Sequence, residues 1–73
     1  MDYQVNELRQ ILIEALSDEI NRRELKQEAA AELLGVSQAR ISAIHNGRIE
    51  DFRLDRLVKF ANQLDLRVTM SVT

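Results

Sequence analysis

The side chains of this 73-residue chain that could carry chemistry are few, and they crowd into one stretch. There is no cysteine and a single histidine, His45. Thiolate chemistry, disulfide staples and a structural zinc site are therefore excluded, and no metal or cofactor is expected. What remains is hydrogen bonding. From Gln38 to His45, the polar residues Gln38, Arg40, Ser42 and His45 stand among Ala39, Ile41, Ala43 and Ile44. If Ile41 and Ile44 face inward on a helix, those four are left largely outward, with Ala39 and Ala43 beside them. The resulting face offers amide, guanidinium and hydroxyl groups on a surface small enough to enter a groove. That is the chemistry of polar recognition. Catalysis would need an acid, base or nucleophile set converging in a pocket, which one histidine and so small a chain do not supply, so no enzyme is expected. His45 falls in the last turn, where a histidine suits the helix dipole, and is read as a surface residue with no chemical role.

Two helices and a tight turn must position this face. Gln27, Ala31, Gly35, Val36, Ser37, Ile41, Ser42 and Gly47 each occupy a place where two helices joined by a three-residue turn need their chemistry. Ala31 is small where the helices approach, and Gly35 can take the positive φ that reverses the chain. The first of the pair is expected over Leu25 to Leu34, with Ala29, Ala30, Leu33 and Leu34 available for burial. The second starts after Ser37, a good N-cap, runs to about His45 and ends at Asn46-Gly47.

The rest of the chain reads as a frame around this pair. Val5, Leu8, Ile11, Leu12, Ala15, Leu16 and Ile20 recur at helical spacing from about Asp2 to Arg22. Glu7, Arg9, Gln10, Glu14, Asp18 and Glu19 fall mostly on the other side. Leu54, Leu57, Val58, Ala61 and Leu64 predict a further helix to Gln63 or Leu64, with Asp51 as its start signal. The period then changes, and Leu66 to Thr73 alternates apolar and polar residues like a half-buried strand. With no proline, repeat or low-complexity run, residues 1–73 are expected to form one domain.

A chain this short buries only about 60% of its unfolded-state surface, so oligomerisation would help it. Its apolar clusters, Ile11-Leu12-Ile13 and Ala29-Ala30-Ala31, fall far short of a membrane span, and Met1-Asp2-Tyr3 lacks the basic start of a signal peptide. A cytoplasmic protein without membrane contact is the expectation. The net charge is −2, but it is uneven: residues 1–34 hold eight acids and four bases, residues 35–73 four acids and six bases. An acidic half and a basic half fit a protein with one side facing nucleic acid.

From Gln27 to Gly47 the chain resembles the helix-turn-helix of the Cro/cI-type (XRE) family, in the form Q-x-x-x-A-x-x-x-G-V-S-x-x-x-I-S-x-x-x-x-G. The long first helix, the segment Phe52-Arg53-Leu54-Asp55-Arg56-Leu57 and the ending Leu66-Arg67-Val68 are similar to short, antitoxin-like (HigA-type) members. Glu24 departs from that pattern where a helix-ending glycine is common, and Lys26 where Ser or Thr usually caps the next helix. The resemblance implies an all-α, phage-repressor-like domain of four to five helices. It also implies a sequence-specific transcriptional regulator that binds double-stranded DNA with the helix beginning around Gln38. By position, Gln27 would reach a phosphate, and Gln38 would pair with adenine N6 and N7. Arg40 would take guanine O6 and N7 or a phosphate, and Ala39 a thymine methyl. Ser37 and Ser42 would add phosphate or base contacts, and Arg48 would suit the backbone.

The solitary strand needs a partner for its backbone groups. The simplest is the same strand of a second subunit, with Leu66, Val68, Met70 and Val72 on one face against the helices. Such a homodimer predicts a palindromic operator with half-sites roughly 34 Å apart. The antitoxin-like resemblance further implies autorepression and a small toxin as a second partner, for which Glu7, Glu14, Asp18 and Glu19 offer an acidic surface. The alternative reading is a protein-binding module that uses the same scaffold without DNA. Gln38, Arg40 and Arg48 on one face would have no purpose in such a module.

Overall fold

A computed structural model describes residues 3–66, and all of their regular structure is helical. α1 spans Tyr3–Arg22, α2 Gln27–Leu34, α3 Gln38–His45 and α4 Leu54–Gln63, with a 3-10 turn at Ile49–Asp51 between α3 and α4. α1 packs on α4, α3 and the 3-10 turn, and α2 packs on α3 and α4. The expected strand and its pairing across a homodimer fall on residues 67–73, outside the described residues. Of the four apolar positions proposed for that interface, Leu66 alone is described. It is half-buried against the core, and its N–H closes α4 on the Ala61 carbonyl at 2.9 Å.

The core is built from Ile13, Leu16 and Ile20 of α1, Ala30 and Leu34 of α2, Ile41 and Ile44 of α3, Leu57, Phe60 and Ala61 of α4, and Leu64 at the C-cap of α4. The inner face of α1 is not the one its first half suggests. Ile13 is fully buried and Ile11 is 61% exposed. Two residues along a helix is a rotation of about 200°, so only one of these isoleucines can face the core. Ile13 is in register with Leu16 and Ile20, the side chains that meet α3 and α4. Val5 is also exposed, although it falls on the same side of α1 as the buried Leu12 and Leu16.

α2 begins two residues later than expected. The Leu25 N–H still serves α1, donating to the Ile20 carbonyl at 3.1 Å, so Leu25 cannot open the next helix. Extended Lys26 does so instead, without a side-chain cap. Ala30, Ala31 and Leu34 share the inward face of α2, and Ala29 and Leu33 are exposed. Nor does Asp51 start α4. It ends the 3-10 turn, and Arg53 is the N-cap. The turn delivers Phe52 into the core, where its ring meets Phe60 edge-on, with centroids 6.3 Å apart and planes at 83°.

The far ends of α1 and α4 are tied by charge. Glu19, expected on the solvent side of α1, is 9% exposed. It accepts from Arg22 at 2.6 and 3.0 Å and from Arg23 Nε at 2.6 Å. Arg23 also donates to the Leu64 carbonyl at the end of α4. Hydrogen bonds from Arg22 and then Arg23 favour the carboxylate over its protonated form and lower the Glu19 pKa to about 2. No helix among the described residues is long and apolar enough to cross a membrane.

Candidate nucleic-acid interface

The connection between α2 and α3 is Gly35, Val36 and Ser37, each with a separate task. Gly35 takes φ +70°, and the Val36 N–H reaches back to the Ala31 carbonyl at 2.9 Å, closing α2. Val36 is half-buried against the core. Ser37 is extended, and its Oγ accepts from the Arg40 N–H at 3.2 Å, satisfying one of the donors that a helix start leaves free. Ile41 and Ile44 then anchor α3, and Asn46 with Gly47 (φ +67°) ends it.

The outward face of α3 is shorter than the residue types suggest. Gln38, Ala39 and Arg40 are exposed, Ser42 is half-buried and Ala43 is buried. The residue types put Ala43 beside the outward face, but it is buried. At the end of α3 the chain folds back, the Arg48 N–H bonding the Ala43 carbonyl at 3.1 Å. His45 is not an idle surface residue either. Half-buried, it holds Ser17 of α1, with Nδ1 and Oγ 2.7 Å apart, and so fixes the end of α3 to the frame. The open part of α3 is thus its first turn, where the backbone N–H groups and the positive end of the helix dipole lie.

The other proposed contacts surround that turn to different degrees. Gln27 is exposed at the first position of α2. The Arg48 side chain is 60% exposed and meets Glu50 and Asp51 only at 3.9 and 3.6 Å. Arg40, though exposed, is engaged: Nη1 donates to the Asp51 carbonyl at 2.8 Å, and the guanidinium carbon lies 5.5 Å from the centre of the Phe52 ring. Asp51 therefore joins Arg40 to Arg48. Sequence reasoning missed this because the key atom is a backbone carbonyl, which no residue type announces.

A short helix, a three-residue turn through a left-handed glycine and a second helix with an open first turn define a helix-turn-helix protein. The chain matches the helix-turn-helix domain family over residues 3–73 and belongs to it. A solved structure named "Putative XRE Family Transcriptional Regulator" is similar to it at 34% identity with a TM-score of 0.88, the match covering 100% of this chain and 82% of that one. No curated protein matches the chain.

Proposed function

We propose that the protein is a DNA-binding transcriptional regulator that places the first turn of α3 in the major groove. The observation that carries this reading is the open turn Gln38-Ala39-Arg40 on a helix anchored by Ile41 and Ile44. The similarity to a protein named as an XRE-family transcriptional regulator supports it. Gln38 reads adenine through N6 and N7, and Ala39 meets a thymine methyl. Gln27, Ser37 and Arg48 hold the backbone phosphates, and Ser42 adds a phosphate or base contact. Arg40 stands at the same turn, with Nη1 bonded to the Asp51 carbonyl. The test is binding to a labelled duplex from the protein's own upstream region at two salt concentrations, beside Gln38→Ala. Specific, salt-sensitive binding that the variant loses supports the reading. Equal or absent binding by both proteins would retire it in favour of a protein-binding module.

Two finer elements belong to the proposal. The protein acts as a homodimer on a palindromic site, joined through Leu66, Val68, Met70 and Val72. The alternation of this segment supports that arrangement. Analytical ultracentrifugation checks it, since a monomer at micromolar concentration would rule it out. The protein also represses its own gene as the antitoxin of a toxin pair. Glu7, Glu14 and Asp18 are exposed on α1, as is Ile11, so a basic partner has both charge and an apolar contact to meet. Glu19 is withdrawn from that surface by its arginines. Co-expression with the neighbouring gene product tests the role. It fails if no complex co-purifies and no growth arrest is relieved.

A further inference from the structure

Arg40 is the one charged side chain on the open turn of α3, and its position is already committed. Its Nη1 donates to the Asp51 carbonyl at 2.8 Å, and its guanidinium lies over Phe52, which is buried against Phe60 of α4. Asp51 in turn holds Arg48 in two ways. Its N–H donates to the Arg48 carbonyl at 3.0 Å, and its Oδ2 is 3.6 Å from Arg48 Nε. One residue of the 3-10 turn thus receives Arg40 on its carbonyl and steadies Arg48 with its amide and its carboxylate.

We infer that Arg40 is a positioning residue: through Asp51 it holds Arg48 in place for a backbone phosphate and leaves the base edges to Gln38. This rests on the DNA-binding reading above and deepens it. Swinging Arg40 into the groove would break a charge-assisted hydrogen bond and a cation–π contact. Arg48 is in the opposite condition. It is exposed, and its acidic partners Glu50 and Asp51 lie at 3.6 Å or beyond on equally wet ground, so exchanging them for a phosphate costs little. A salt link too loose to keep Arg48 from DNA is still close enough to orient it, provided the turn that carries Asp51 is itself fixed. Arg40 is the tether that α3 supplies.

The experiment is a double-mutant cycle of the native protein, Arg40→Met, Arg48→Ala and the pair. Affinity for the upstream duplex is measured from 50 to 200 mM salt, on proteins shown by circular dichroism to be folded. If Arg40 acts through Arg48, each single variant reduces the steepness of the fall of log affinity with log salt by about 0.9, the value of one phosphate contact. The double variant then lowers it by the same amount, not twice, and Arg40→Met keeps the native ranking of single base-pair substitutions in the site. Additive slopes, or loss of discrimination at one base pair in Arg40→Met, would show that Arg40 touches DNA itself and overturn the inference. An Arg40→Met variant with native affinity and slope would overturn it too. Arg40→Lys keeps the charge and guards against a Met variant that fails to fold. Lysine lacks the flat guanidinium that stacks on Phe52, so it is expected to match the Met slope, and restoration of the native slope would mean a direct phosphate contact. A native protein that binds no duplex at any salt would defeat the DNA reading itself. Additivity, by contrast, would leave that reading standing.

Discussion

All four helices of the described chain end in the same way, but the two of the helix-turn-helix and the two that frame it do so with different residues. In each, one residue turns left-handed and the next N–H bonds the carbonyl five positions back. The pairs are Leu25 to Ile20 at 3.1 Å, Val36 to Ala31 at 2.9 Å, Arg48 to Ala43 at 3.1 Å and Leu66 to Ala61 at 2.9 Å. At the ends of α2 and α3 the left-handed residue is glycine, Gly35 and Gly47. At the ends of α1 and α4 it is an acid, Glu24 at φ +56° and Asp65 at +59°. A side chain in this conformation is strained by contact between Cβ and backbone, and an acid at a helix C-terminus also opposes the dipole. The recognition unit therefore closes its helices without strain, and the frame carries the strained closures.

Moving glycine in and out of these positions should act with opposite sign in the two regions. The largest effect is expected from Gly35→Ala, which should destabilise the fold by about 1–2 kcal/mol in urea unfolding. An added Cβ there has nothing within 4 Å, so the cost would be one of backbone conformation alone. In the frame, Glu24→Gly should stabilise by about 1 kcal/mol, removing strain and an unfavourable charge at the price of a freer unfolded chain. A shift of stability in the same direction for Gly35→Ala and Glu24→Gly would mean that the acidic closures of the frame carry no strain. Asp65→Asn should gain only a few tenths of a kcal/mol. Asparagine and aspartate bear the left-handed conformation at similar cost, so only the charge at the end of α4 changes.

The same contrast explains how much could be read from the residues. The ends of α3 were legible because their signals are local: Ser37 can cap and Gly47 can turn, whatever else surrounds them. Glu24 and Lys26 carry no such signal, which is why the residue types put the start of α2 two residues early. The buried face of α1 was ambiguous in kind, since Ile11 and Ile13 are the same residue on opposite sides of one helix, and packing chose between them. Ala43, His45 and Asp51 owe their places to the core packed against α3, to Ser17 and to a main-chain carbonyl. None of these is written into a single residue type. The candidate contacts Gln27, Ser37, Gln38, Ala39 and Arg48 all emerge exposed. Arg40 shows that exposure and freedom are different properties.

The frame has a compensation for its poor closures, and pH should expose it. Arg23 and Leu64 directly precede the strained Glu24 and Asp65, and Arg23 ties the two by joining Glu19 to the Leu64 carbonyl, one of the acceptors that a helix end leaves unpaired. Glu19 has its pKa lowered from 4.5 to about 2 on folding, so between those values the unfolded chain binds more protons than the folded one. The stabilisation it brings is present above pH 4.5 and is lost as pH falls through about 2. Exposure limits its size, because Arg22 is 70% exposed and water screens its part. The measurement is the urea midpoint of the native protein and of Glu19→Gln from pH 7 to pH 2. The native protein should start ahead and lose its lead below pH 4.5, Arg23 keeping its bond to Leu64 but losing the charge that aims it. Parallel curves would mean that Glu19 contributes nothing ionic, and the ends of α1 and α4 would then be held by the core beneath them.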